Sequence, residues 1–105
     1  MRNEHGYTAV LVAALAGKDE CIKVLHKAGA DISVLDNWER NALHIAARYG
    51  KESTVRLLLK LGLDISARDD RGFTPMCWAF EHEQKGVIQI LQDAQKNGLA
   101  RFIQR

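Results

Sequence analysis

The sequence predicts an all-α domain, an array of three stacked helix–turn–helix units, and three observations carry the prediction. First, the chain repeats every 33 residues: Gly6-Tyr7-Thr8, Glu39-Arg40-Asn41 and Gly72-Phe73-Thr74 fall in one register. Second, the same spacing aligns Ala13, Ala46 and Ala79, then Leu25, Leu58 and Leu91, so small and apolar positions recur together. Third, reversal signals recur too, because Asp31-Ile32-Ser33 returns as Asp64-Ile65-Ser66 and Gly29 returns as Gly62. A fixed period in this range marks stacked supersecondary units. Each unit then touches only its neighbours and leaves an outer surface for recognition.

Each unit reads as a turn, a short helix, a tight reversal and a longer second helix. Thr8, Asn41 and Thr74 stand where an N-cap side chain accepts from an unpaired backbone N–H. Pro75 follows Thr74 at the first helical position, where its missing N–H does no harm. Ala9 and Ala42 replace that proline, so the cap remains while the pre-set backbone angle is lost. First helices are expected over 10–16, 43–49 and 76–81. Ala13, Ala14, Ala46 and Ala47 let neighbouring helices approach closely, and Gly17 and Gly50 suit the left-handed backbone that ends a helix. Second helices carry Ile22, Val24 and Leu25, then Val55, Leu57 and Leu58, then Val87, Ile88, Ile90 and Leu91, apolar stripes at helical spacing. Asp36-Asn37-Trp38-Glu39 and Asp69-Asp70-Arg71-Gly72 are turn chemistry.

Composition bounds the rest. A chain of 105 residues with 47% hydrophobic residues has room for one small globular domain. A net charge of +2 with mixed signs gives no footprint for nucleic acid. The longest apolar stretch, Ala9 to Ala16, is too short for membrane insertion and lacks signal-peptide flanks. Cys21 and Cys77 stand apart, without zinc-ligand spacing, and both are expected in the core. Two free thiols point to an intracellular protein, cytoplasmic first and nuclear second.

The run Asn41-Ala42-Leu43-His44-Ile45-Ala46-Ala47-Arg48-Tyr49-Gly50, with Val55-Arg56-Leu57-Leu58-Leu59 after it, resembles an ankyrin repeat. Asp69-x-x-Gly72-x-Thr74-Pro75-Met76 is similar to the same family's turn and helix start. The resemblance covers essentially the whole chain, in units of roughly residues 3–35, 36–68 and 69–101. It implies an all-α ankyrin-repeat solenoid with β-hairpin or turn fingers along one edge. Departures from the pattern are specific. Glu39 replaces the turn glycine and Glu83 the glycine that ends the first helix. Leu11 and Cys77 replace the family histidine, which His44 alone retains, so the outer repeats are expected to be held less firmly there. Phe80 at an alanine site and the polar run 92–97 suit a C-terminal capping repeat. At the other end, 9–16 is apolar all round, which fits either upstream ankyrin repeats or another chain, such as a second copy, covering it.

Such arrays bind partners with their finger tips and the exposed face of the first helices. By register the tips are Glu4, His5 and Tyr7, then Asn37, Trp38 and Arg40, then Asp70, Arg71 and Phe73. The helix face carries Leu15 and Ala16, Arg48 and Tyr49, and Glu81 and His82, with Leu35 and Arg68 at the finger edges. Trp38 in a hydrophilic turn and Tyr49 beside Arg48 are the residue types that dominate interface hot spots, although packing of Trp38 on the next tip is the plainer alternative. Tyr7, Trp38, Arg40, Arg48, Tyr49, Arg71, Phe73 and His82 are therefore the candidate partner-binding residues. Arginines at 40, 48, 68 and 71 favour a protein or peptide partner with an acidic segment. His44 is expected to make a structural hydrogen bond. No catalytic constellation, phosphate loop, cofactor site or metal set is legible in the sequence. The expected function is a non-catalytic protein-interaction scaffold. The alternatives are a structural assembly segment of a larger array and a small ankyrin-type inhibitor of a partner enzyme.

Overall fold

A computed structural model describes residues 8–103, with side chains through residue 96. Six helices occur among the described residues: α1 (Ala9–Ala16), α2 (Asp19–Lys27), α3 (Ala42–Arg48), α4 (Glu52–Lys60), α5 (Pro75–Glu81) and α6 (Lys85–Ile103). The short helices α1, α3 and α5 stack as one layer, and α2, α4 and α6 stack as a second layer behind them. The predicted boundaries agree with those found to within one residue for the first helices. The sixth helix runs through the polar stretch to Ile103, well beyond the nine residues of α2 and α4.

Local chemistry explains where each helix starts and stops. The Asn41 side chain accepts from the His44 N–H at 3.0 Å, and the His44 ring answers by accepting from the Asn41 N–H at 3.1 Å, a closed capping box. Thr74 accepts from the Cys77 N–H at 3.3 Å, and Pro75 occupies the first helical turn. Thr8 makes no such cap, and its buried hydroxyl finds no hydrogen-bond partner among the described residues. Gly17 and Gly50 end α1 and α3 with φ of +71° and +70°.

The core lies between the layers. Leu11, Ile22, Leu43, Ile45, Val55, Leu58, Val87 and Leu91 are essentially fully buried, while Ala13, Ala14, Ala46, Ala47 and Ala79 let α1, α3 and α5 pack closely. Burying apolar area of this kind is the main favourable contribution to folding. Repeats are also joined by polar contacts. Ser53 and Thr54 at the start of α4 both donate to the Asp19 carboxylate at the start of α2.

Fingers between the helix pairs are turns, since no strand occurs among the described residues. The Asp36 N–H donates to the Arg40 carbonyl at 2.9 Å, and one repeat later the Asp69 N–H donates to the Phe73 carbonyl, also at 2.9 Å. Glu39 and Glu83 both adopt the left-handed backbone, with φ of +60° and +53°, so two glycine positions of the repeat are held by side-chain-bearing residues.

Both cysteines are exposed, which corrects the expectation that they belong to the core. The register gives the reason. Thr54 and Val87, the mates of Cys21, are fully buried because they face the preceding repeat. Cys21 points to the N-terminal end of the array, where no such repeat is described. Cys77 takes the place of His44, which the following repeat buries.

A candidate protein-recognition groove

The finger tips are built on two carboxylates in equivalent positions. Asp36 Oδ1 accepts from the N–H groups of Trp38 and Arg40, each at 2.9 Å. Asp69 Oδ1 accepts in the same way from Arg71 at 3.0 Å and Phe73 at 2.9 Å. Their second oxygens differ in partner. Asp36 Oδ2 takes the Arg40 Nε–H at 2.8 Å, and Asp69 Oδ2 takes the indole Nε1–H of Trp78 at 2.8 Å. Burial alone would raise the Asp69 carboxyl. The donors from Phe73, Trp78 and Arg71 outweigh it and hold the group below the ordinary carboxylate range. The Asp70 N–H donates to the Trp38 carbonyl at 3.0 Å and so ties the two tips together.

His44 locks the tip to the helix layer. Its Nδ1 accepts within the capping box, which leaves the Nε2–H to donate to the Phe73 carbonyl at 2.9 Å. Burial lowers the imidazole below its ordinary value, only partly offset by the Phe73 and Ala67 carbonyls, Asp69 and Asp36. A neutral ring fixed on both nitrogens is structural, as the sequence predicts.

Between the tips and the short helices lies a groove of about 760 Å³. Trp38, Arg40, Arg48, Tyr49, Arg71, Phe73 and His82 all line it. Seven candidates spread over two repeats therefore share one surface, joined by Leu15 from the first repeat and by Asp70 and Glu81. Tyr7, with Glu4 and His5, lies outside the described residues. Ala16 and Arg68 are exposed but do not line the groove.

The groove has a hub that sequence reasoning missed. Trp78 stacks on His82, with centroids 5.8 Å apart and planes 15° apart, and meets Phe73 edge-on at 5.5 Å. The Arg40 guanidinium lies 4.9 Å from the Trp38 ring and 5.5 Å from that of Trp78. The Arg48 guanidinium lies 5.2 Å from Trp78 and 5.1 Å from Tyr49. Rings and guanidinium groups thus alternate from Trp38 to Tyr49. One sequence signal pointed at Trp78: it precedes Glu81 and His82 by three and four residues, the spacing that puts side chains on one helix face.

Exposure separates the roles of these residues. Arg40 is 8% exposed and paired with Asp36, so it supports the groove from beneath. Trp38 and Tyr49 keep 40% and 44% exposure, enough to meet a partner. The Trp38 ring also packs against the Arg40 guanidinium, and its backbone carbonyl is bonded to the next tip.

Among the described residues no three His, Cys, Asp or Glu side chains converge as a metal site, and no helix is long and apolar enough to cross a membrane. A comparison with curated proteins finds no match. A family model described as ankyrin repeats (3 copies) matches residues 10–99. With that match spanning most of the chain and agreeing with its stacked helix pairs, the chain belongs to the ankyrin repeat family, whose arrays are in general protein–protein interaction modules.

Proposed function

We propose that this domain is a non-catalytic recognition module that holds a protein or peptide partner in the groove between its fingers and short helices. The observation that carries the reading is the alternating stack from Trp38 to Tyr49, which fixes aromatic and guanidinium groups before any partner arrives. Preorganisation lowers the ordering cost of binding, and Trp, Tyr and Arg are the anchors that contribute most to interfaces. An intracellular setting suits the two exposed free thiols. The test is affinity capture with wild-type bait beside Trp38→Ala/Tyr49→Ala/His82→Ala and, on the opposite face, Arg56→Ala/Lys60→Ala. Circular dichroism would confirm that all baits are folded. Partners should be kept by the second variant and lost by the first; partners retained by both variants would sink the reading.

A second surface is favoured by a separate observation. Val12 and Val24 are 45% and 65% exposed, whereas Ile45, the mate of Val12, is 1% exposed and Leu57, the mate of Val24, is half-buried. We propose that this N-terminal face docks an ankyrin-type helix pair or a second copy of the chain. Light scattering of wild type and Val12→Lys at matched concentrations tests the second copy: a wild-type dimer abolished by the substitution supports it, and a monomer in both leaves only the helix pair.

A further inference from the structure

Across the groove one position of the short helices changes character from repeat to repeat. Leu15, Arg48 and Glu81 occupy the same register in α1, α3 and α5, and all three line the groove. The row is therefore apolar, cationic and anionic in order. Among the described residues neither Arg48 nor Glu81 has an ion-pair partner within 4.0 Å.

Arg48 is held unusually well for a groove residue. Its carbonyl accepts from Gln84 Nε2 at 2.9 Å, which fixes the backbone to the third repeat. Its guanidinium rests against Trp78 and Tyr49, which fixes the plane of the side chain. A guanidinium stacked on rings still presents its N–H edge, and that edge matches a carboxylate in two-point fashion. A partner's lysine or arginine is disfavoured there, because Arg40 and Arg48 already occupy ring faces and repel it. Nearby acids do not cancel the seat: Asp36 and Asp69 are engaged in holding the fingers, and neither Asp70 nor Glu81 pairs with the Arg48 guanidinium within 4.0 Å.

Resting on the groove reading above, we propose that the partner is an extended protein segment with an apolar residue opposite Leu15, an aspartate or glutamate on Arg48, and a lysine or arginine opposite Glu81. Packed helices stand about 8–10 Å apart, and a segment in the extended polyproline II conformation advances about 3.1 Å per residue with three residues per turn, which puts every third side chain on one face. Each repeat therefore spans about three residues of a crossing segment. The recognised pattern is apolar-x-x-acidic-x-x-basic, read in either chain direction. Because the row carries one charge of each sign, selectivity comes from the order of contacts and not from a net field. It narrows the sequence expectation of a partner with an acidic segment to one acidic side chain seated on Arg48.

The experiment is selection from a random dodecapeptide display library on the folded 105-residue chain, followed by titration of synthetic winners. Wild type should enrich the pattern above, and changing the acidic residue to Asn or Gln should weaken binding about tenfold to a hundredfold. That loss should vanish on Arg48→Gln, as contact between the two groups requires. Glu81→Lys should enrich an acidic residue at the third position in place of the basic one. Winners that lose affinity on Tyr49→Asp/His82→Asp yet lack the charged order would overturn this inference and leave the groove standing. Winners that bind this folded double variant as well as wild type would overturn the groove reading itself. Absence of any enriched sequence overturns the proposed pattern.

Discussion

Asp36 and Asp69 stand one repeat apart, and each gives one carboxylate oxygen to its turn and the other to a side chain. For Asp36 that side chain is Arg40, and the pair is almost fully buried. Removing one partner of a buried pair leaves an uncompensated charge, typically at a cost of about 3–5 kcal/mol. Arg40→Ala is therefore expected to lower unfolding stability by about 3 kcal/mol, read as a shift in the urea midpoint. A midpoint within error of wild type would return Arg40 to a purely ligand-facing role. Glu39 is strained in the opposite sense. At φ +60° its side chain sits where its register mate is Gly72, and left-handed backbone costs a non-glycine residue roughly 1–2 kcal/mol. Glu39→Gly should raise stability by about 1 kcal/mol in the same titration, after the entropy of the freer unfolded chain is subtracted. His44 gives the pH dependence. Its folded value lies below the ordinary one, so on acidification the unfolded chain takes up a proton before the folded chain does. Its contribution is intact above about pH 6.5 and declines as pH falls from there toward the folded value. The stability gap between wild type and His44→Gln should thus narrow from pH 7 to pH 5; a constant gap would contradict a depressed His44.

At the scale of elements, the end of α3 shows how a glycine outside the groove controls a side chain inside it. Gly50 carries φ +70°, and a Cβ there would approach Gln84 Oε1 to 2.5 Å. The missing side chain is what lets Gln84 cross from the third repeat and bind the Arg48 carbonyl. Gly50→Ala combines a left-handed strain with that clash, and should destabilise the fold by about 1–2 kcal/mol. It should also weaken any groove ligand, because Arg48 loses its backbone tether. Measuring both unfolding and peptide affinity separates the two effects: a variant destabilised but unchanged in affinity would show that the tether does not matter to binding. In α5 a single residue, Trp78, organises Phe73, His82, Arg40 and Arg48. The equivalent residue of α3 is Ile45, which is buried and organises no such cluster.

Over the whole molecule, neighbour contacts set an uneven stability. The middle repeat is covered on both sides and has the closed capping box and the His44 bridge to Phe73. In the first repeat Leu11 replaces that histidine and Thr8 makes no side-chain cap. Local opening should follow this order. Native-state hydrogen exchange is expected to be slowest in α3 and α4 and measurably faster in α1. Equal protection across the described helices would mean the array opens as one unit.

How much of this was legible in the chain follows from the period. A 33-residue repeat fixes the fold because every unit must bury the same face against a neighbour, so three agreeing copies specify helices, turns and core together. Register also singled out seven residues that the structure brings together along one groove. What it did not reveal are features that depend on which side of a repeat has a neighbour. Cys21, beside Ile22, and Cys77 are expected in the core, yet both are exposed, although their mates Thr54, Val87 and His44 are buried. Arg40 read as a ligand-facing charge until Asp36 was found to hold it. Trp78 is not among the sequence candidates, and only the stacking of α5 on α3 brings its ring against arginines from the repeat before. Register is a property of the chain, whereas coverage and contact across repeats arise only once the units are stacked.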